Sequence, residues 1–284
     1  MKNLGYYNGK FGPLEEMQVP MLDRGTYFGD GVYDASYASN HTIFALQDHI
    51  NRFFNSAKLL GINIPHTKEE LADILCEMVK KVDSPDQFVY WQVTRGTAIR
   101  NHVYQEGMTG NIWIMLVPKG VQNKNKEMNL ISVEDKRFFY NNIKTINLIP
   151  AVLYSTQANR EGFDECVLHR GERVTECAHS NISILKDGCF ITAPTDEYIL
   201  PGIARKHLIE ACHRLNVPVK EIVYTMDELM NADEVIVSSS TNLCLRTKTV
   251  DGKEVGFKDP ALFKKLSDAV YSEFEEYTKA GRRD

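Results

Sequence analysis

The sequence predicts an α+β fold in two domains, and three observations carry that expectation. Helical and strand patterns are mixed along the chain without a regular strand–helix–strand rhythm, which argues against a doubly wound sheet. The chain has 284 residues, enough for about two domains of roughly 140 residues, each able to bury a core. Between Pro118 and Lys126 the composition turns polar, Pro-Lys-Gly-Val-Gln-Asn-Lys-Asn-Lys, as a linker does. The expected division is an N-terminal α/β domain over residues 1–119, a linker over 120–126 and a C-terminal domain with mixed sheets over 127–284.

The elements follow from local signals. Asn8-Gly9 marks a two-residue hairpin turn between Tyr6-Tyr7 and Lys10-Phe11. Gly29-Asp30-Gly31 breaks the chain before a β-prone run from Val32 to Ala38, and Asn40-His41 turns it into Thr42–Ala45. A helix follows with Asp48 as the expected cap; Ile50, Phe53, Phe54 and Ala57 share one face and Gly61 ends it. Thr67-x-x-Glu70 reads as a capping box for a helix bearing Leu71, Ile74, Leu75 and Met78. Strands are expected at Phe88–Thr94 and Ile112–Val117, and after the linker near Asn129–Val133. A helix over about Ala151–Arg160 precedes strands around Glu165–Leu168, Asn181–Leu185 and Cys189–Thr192. Leu200-Pro201-Gly202 opens a helix over Ile203–Leu215, strands follow near Val219–Tyr224 and Glu234–Val237, and a last helix covers about Pro260–Tyr277.

Composition excludes several classes. Hydrophobic residues make up 43% and charged residues 25%, which is ordinary for a globular enzyme and unlike a disordered or fibrous chain. A net charge of −5 is not the basic footprint of a nucleic-acid binder. The apolar run Ile112–Val117 is too short to span a bilayer, and Met1–Gly5 has no apolar core for a secretion signal. The six cysteines show no Cys-x-x-Cys spacing and read as free cytosolic thiols; the histidines form no ligand pair, so no metal site is expected.

A few residues stand out chemically. Lys144 sits in Asn142-Ile143-Lys144-Thr145-Ile146-Asn147-Leu148-Ile149. An amine among apolar groups is a better nucleophile toward carbonyls, although the segment alone reads more readily as a surface lysine with its charge in water. Glu176 is either a buried acid able to hold a protonated ring nitrogen or a strand-end acid. Arg52 lies off the apolar stripe of its helix and reads alone as a solvated arginine, yet a guanidinium also suits phosphate. The helix start at Ile203 and Ala204 offers unpaired amides to an anion or to water. Ser238-Ser239-Ser240-Thr241, after a strand, is either part of a phosphate cup or a polar loop. Arg100 and His102, two apart, face the same way in extended chain and suit a carboxylate; the alternative is an exposed basic loop. Tyr33 is either a partner to them or a half-buried strand tyrosine. Together these residues provide an amine, an acid, a phosphate cup and a carboxylate clamp, the set a phosphate-bearing aldehyde cofactor needs.

The order of several motifs strengthens this reading. They are Asp23-Arg24-Gly25 through Gly29-Asp30-Gly31-Val32-Tyr33, His49-x-x-Arg52, Gln92-Val93-Thr94-Arg95-Gly96-Thr97 with Arg100-x-His102, Ile143–Leu148, Val174-Thr175-Glu176, Ser180-Asn181 and Ile199-Leu200-x-Gly202-Ile203. Over nearly its whole length the chain resembles the fold-type IV (class IV) pyridoxal-phosphate aminotransferases, and among them the D-amino acid aminotransferases. The resemblance implies pyridoxal 5'-phosphate as cofactor. Lys144 then forms the Schiff base and moves the proton. Arg52, Ile203, Ala204, Ser239 and Ser240 hold the phosphate, Glu176 the pyridine nitrogen, and Leu200 packs on the ring. Tyr33, Arg100 and His102 bind the substrate carboxylate, the last two from the neighbouring subunit of a homodimer. The chain departs from the family pattern at Cys177-Ala178-His179, at Ala204 where a threonine is common, and at Asn242-Leu243-Cys244-Leu245-Arg246. His179 is expected either to narrow the substrate pocket or to face solvent.

The expectation is therefore a cytoplasmic, homodimeric aminotransferase that moves the amino group of D-amino acids such as D-alanine to a 2-oxo acid. Its rivals are a branched-chain L-amino acid aminotransferase, an aminodeoxychorismate lyase and a non-catalytic binding protein of the same fold; Lys144 with Glu176 argues against the last.

Overall fold

A computed structural model describes residues 2–281; Met1 and residues 282–284, included in the expected domains, lie outside the described residues. The chain separates into two compact units. The first holds the chain through Gly120 together with Ile143–Asn147 and the chain from Phe274 onward; the second holds Val121–Asn142 and Leu148–Glu273. Two short segments from the C-terminal half, one of them carrying Lys144, therefore belong with the N-terminal unit.

The first unit is built on strands β1 (Leu4–Tyr7), β2 (Lys10–Gly12), β3 (Gly31–Ser39), β4 (Thr42–Ile43), β5 (Gln87–Thr94) and β6 (Asn111–Pro118), with helices α1 (Arg24–Phe28), α2 (Leu46–Leu59) and α3 (Lys68–Val79). The strands form one sheet in the order β2-β1-β6-β5-β3-β4, with every pair antiparallel. The period-two alternation of a strand sorts the side chains. On β5, Val89, Trp91 and Val93 are fully buried, and they join Ile50 and Phe53 of α2 and Leu71 and Leu75 of α3 in one core. On β3 the inward set is Val32, Asp34 and Ser36, so a carboxylate enters a largely apolar layer. The capping box at Thr67 forms as the sequence predicts. Asp48 does not cap α2: Ala45 occupies that position at φ 49 and the helix starts two residues before Asp48, which lies in the first turn. The sequence reading also passed over α1, whose Asp23 cap accepts a hydrogen bond from the Gly25 amide at 2.7 Å.

The second unit contains strands β7 (Glu127–Glu134), β8 (Glu165–Arg170), β9 (Arg173–Cys177), β10 (Asn181–Lys186), β11 (Cys189–Thr192), β12 (Val219–Glu221), β13 (Glu234–Ser238), β14 (Leu245–Val250) and β15 (Lys253–Glu254). Its helices are α4 (Ile149–Arg160), α5 (Ile203–Arg214) and α6 (Met226–Met230), and α7 (Pro260–Ala280) runs from this unit into the first. The nine strands form one mixed sheet, with β7 parallel to both β8 and β14. β14, β15 and α6 were not anticipated, although Thr225-x-x-Glu228 carries the same capping-box signature as Thr67-x-x-Glu70 and forms the same reciprocal bonds. The antiparallel first sheet and the mixed second one make the fold α+β.

Phe53 has no exposed surface and stands edge-on to Trp91 with ring centroids 6.3 Å apart. Phe53→Ala is expected to lower stability by about 3–5 kcal/mol, the usual cost of emptying a buried aromatic site. Urea unfolding followed by tryptophan fluorescence measures it.

Candidate active site

In the first unit the site begins with α2. Positions 49, 52 and 56 fall on one helix face, and that face carries His49, Arg52 and Ser56 toward β3 and the Lys144 segment. Arg52 donates from Nε to Asp34 Oδ2 at 2.8 Å and from Nη2 to Asp34 Oδ1 at 2.6 Å. His49 Nδ1 donates to Asp34 Oδ1 at 2.8 Å. The solvated arginine expected from the helix pattern is thus nearly buried, its side chain 8% exposed over a carboxylate with no exposure at all. Burial opposes ionisation of Asp34, but Arg52 and His49 outweigh it and hold the carboxyl far below the usual carboxylate range. Burial also pushes His49 below its ordinary value.

The 143–147 segment pairs with the part of β3 that β4 leaves uncovered, through an antiparallel bridge between Val32 and Thr145. Its backbone is fixed at Lys144, whose amide donates to Ser56 Oγ at 3.2 Å and whose carbonyl accepts from the Tyr33 amide at 2.9 Å. Lys144 and Tyr33 lie opposite each other on one face, and the Lys144 ammonium stands 4.3 Å from the centroid of the Tyr33 ring. Tyr33 in turn stacks on Tyr90 at 5.3 Å. Lys144 is half-buried rather than freely solvated. Arg100 and His102 form a second group. The loop bends at both, so they are not in the extended chain that the two-residue spacing assumed, yet both meet one ring. The Arg100 guanidinium carbon lies 4.9 Å from the Phe28 centroid and the His102 ring 5.0 Å from it. Both side chains are exposed in the single chain.

In the second unit Glu176 lies on β9, only 5% exposed. Its Oε1 accepts from Arg137 Nη1 at 2.6 Å, and its Oε2 accepts from Asn181 Nδ2 at 3.0 Å and the Leu200 amide at 3.1 Å. Burial raises Glu176 above the usual range, only partly offset by Arg137. Asn181 connects the remaining pieces. It also donates to the Leu200 carbonyl at 3.0 Å and pairs with Ser238 across β10 and β13. It presses on Gly202 so closely that a Cβ there would fall 1.9 Å from its Oδ1. Gly202 caps α5 without a side-chain hydrogen bond, so the first amides of α5, at Ile203 and Ala204, have no intrahelical acceptor. Ser239 and Ser240 follow β13, with Ser239 Oγ accepting from the Asn242 amide at 3.2 Å. His179, expected to be exposed or pocket-lining, is 57% exposed and its Nε2 donates to the fully buried Glu165 at 2.9 Å.

Sequence reasoning missed Asp34, Arg137 and Asn181. Arg137 pairs with Asp135 as well as Glu176, and no motif announces a cation that meets its acid from 39 residues away. Asn181 had a signal, since it stands in the Ser-Asn dipeptide after the acid. Taken by itself, the second unit offers donors that suit a phosphorylated pyridine: a buried carboxyl of raised basicity, an uncapped helix start behind a glycine and a hydroxyl loop. The first unit by itself offers an amine that suits an aldehyde.

The family profile for class IV amino-transferases matches residues 31–250. A D-alanine aminotransferase of Staphylococcus haemolyticus is 36% identical over 255 residues, 88% of this chain and 90% of that protein. One from Listeria monocytogenes serotype 4b (strain F2365) is 38% identical over 246 residues, 85% of each. The crystal structure of a branched-chain aminotransferase from Thermoproteus uzoniensis superposes with a TM-score of 0.88 at 24% identity, covering 97% of this chain and 96% of that one. This chain belongs to the class IV aminotransferases, whose cofactor is pyridoxal 5'-phosphate.

Asp34→Asn leaves Arg52 buried without its anion and is expected to cost about 3–5 kcal/mol at neutral pH. Because Asp34 is held low in the folded state, its contribution is complete above the unfolded carboxylate value near pH 4 and is lost as pH falls toward the folded one. Urea midpoints of the two proteins should therefore differ most at neutral pH and converge in acid.

Proposed function

We propose that the protein transfers the amino group of D-amino acids, D-alanine among them, to a 2-oxo acid. The observation that carries the chemistry is Lys144, fixed at its backbone by Tyr33 and Ser56 with its ammonium over the Tyr33 ring. The D-alanine aminotransferase relatives supply the substrate class.

When bound, the cofactor provides the electron sink that makes an amino acid α-proton removable. Lys144 would hold the cofactor through its aldehyde and would move the proton at the substrate α-carbon. Glu176, made more basic by burial and oriented by Arg137 and Asn181, keeps a proton on the ring nitrogen. Arg52, the amides of Ile203 and Ala204, and the hydroxyls of Ser239 and Ser240 hold the phosphate; Leu200 packs on the ring face. Tyr33, Arg100 and His102 take the substrate carboxylate.

The assembly in this reading is a homodimer in which Arg100 and His102 serve the neighbouring subunit. Their exposure in the single chain supports this, as do Ile99 and Val103 beside them, at 77% and 76% exposed. The location is the cytoplasm: among the described residues all six cysteines are free thiols, as in a reducing compartment, and no helix is long and apolar enough to cross a membrane.

Borohydride reduction followed by peptide mapping should place the pyridoxyl label on Lys144, and D-alanine rather than L-leucine should bleach the unreduced protein's yellow colour. A label on another lysine, or bleaching by L-leucine alone, refutes the reading. Sharing across subunits is tested by mixing Lys144→Ala with Arg100→Ala/His102→Ala. Mixed dimers put both lesions in one site and leave the other intact, so random reassortment should restore roughly a quarter of the sites. No rescue, with exchange confirmed by mass spectrometry, refutes the shared site.

A further inference from the structure

We infer that Asp30 is a positioning residue that, through Arg24 and Arg95, fixes the 97–104 loop so that Arg100 and His102 meet a substrate carboxylate in one geometry. This rests on the carboxylate role given to those two residues above.

Asp30 bridges two guanidiniums. Arg24 Nε donates to its Oδ2 at 2.8 Å, and Arg95 Nε donates to Oδ1 at 3.0 Å and Oδ2 at 2.9 Å. The side chains are 4% exposed for Arg24, 7% for Arg95 and 13% for Asp30, so solvent screens the ions weakly. Each arginine spends its other nitrogens on backbone. Arg24 Nη1 donates to the Asn101 carbonyl at 2.6 Å and Nη2 to that of His102 at 3.4 Å. Arg95 Nη1 and Nη2 donate to the Gly61 and Leu60 carbonyls, both at 2.9 Å, where α2 ends and carbonyls lack intrahelical donors.

The same cations organise the rings of the loop. The Arg95 guanidinium carbon lies 3.8 Å from the centroid of Tyr104. That of Arg24 lies 4.8 Å from Phe28, the ring against which Arg100 and His102 rest. Tyr27 Oη closes the near end of the loop by donating to the Ala98 carbonyl at 2.5 Å. The loop is thus held at 98, 101, 102 and 104, on both sides of Arg100. Neutralising Asp30 leaves Arg24 and Arg95 as like charges with little water between them and weakens the orientation of both forks. Arg24→Lys keeps the charge but loses the planar fork that reaches two successive carbonyls.

The test uses the holoenzyme with D-alanine. In Asp30→Asn and in Arg24→Lys, amide exchange over 97–104 should rise and KM for D-alanine should increase about tenfold, with kcat changed much less, as for lost uniform binding of the carboxylate. Arg100→Ala is the control. If it leaves KM unchanged, the carboxylate role falls and the inference falls with it. If Arg100→Ala raises KM but both other variants keep wild-type KM and wild-type exchange over 97–104, Asp30 has no positioning role and only the inference is overturned. Should Asp30→Asn fail to fold, Arg24→Lys decides the matter alone.

Discussion

A carboxylate taken out of water has to be met by a cation and by aligned donors, and the arrangement around Asp34 follows from that demand. Strand alternation on β3 directs Asp34 beneath α2, into a layer that includes Val32, Trp91, Ile50 and Phe53. Arg52 in bidentate contact, His49 one turn before it and the Ala35 amide at 2.8 Å offset the loss of hydration. That pairing fixes the rotation of α2 about its axis. The rotation places Ser56 one turn further on, where it accepts from the Lys144 amide. The Lys144 backbone is therefore located by a chain of constraints that starts at the ion pair of Asp34 and Arg52.

The second unit meets the same demand differently. Glu176 receives Arg137, Asn181 and the Leu200 amide, yet burial still leaves its carboxyl more basic than usual. The difference matches the two tasks. Asp34 holds structure as an anion, whereas the role proposed for Glu176, beside a ring nitrogen, suits an acid that binds a proton with moderate strength. Two buried acids with arginine partners thus end on opposite sides of their ordinary range, because Arg52 and His49 together outweigh burial at Asp34, whereas Arg137 and the Leu200 amide do not outweigh it at Glu176, where Asp135 adds a like charge.

The sequence made visible what depends on local pattern. Strand alternation, the Thr67 capping box and the Pro201-Gly202 helix start can be read from a few neighbouring residues, and the ordered motifs around Lys144, Glu176 and Arg52 identify the family. Partners at long range could not be read. Nothing near Arg52 says that it meets Asp34, 18 residues earlier, and a polar position beside an apolar helix stripe looks the same whether it faces water or a buried acid. The Asp48 cap was misplaced for a related reason: Ala45 adopts a left-handed conformation that its own side chain does not favour and that only the tertiary fold enforces. The strand β14 escaped notice because Arg246-Thr247-Lys248-Thr249 is polar, and its membership of the sheet is set by β13 and β7 on either side.

The first unit draws on three separate stretches of chain, and this bears on how the protein is made. Its sheet is complete once Pro118 has been synthesised, but the Lys144 segment that covers the free edge of β3 arrives later. Phe44 waits longer still, since it packs against Phe274 and Tyr277 with ring centroids 5.2 and 5.4 Å away. Those residues leave the ribosome only after the second unit has been made. Domains that emerge first generally fold first, but here the leading unit must hold an unfinished surface while the entire second unit is translated. The surface around Phe44 is thus open to aggregation until α7 has been made, and α7 ends that exposure.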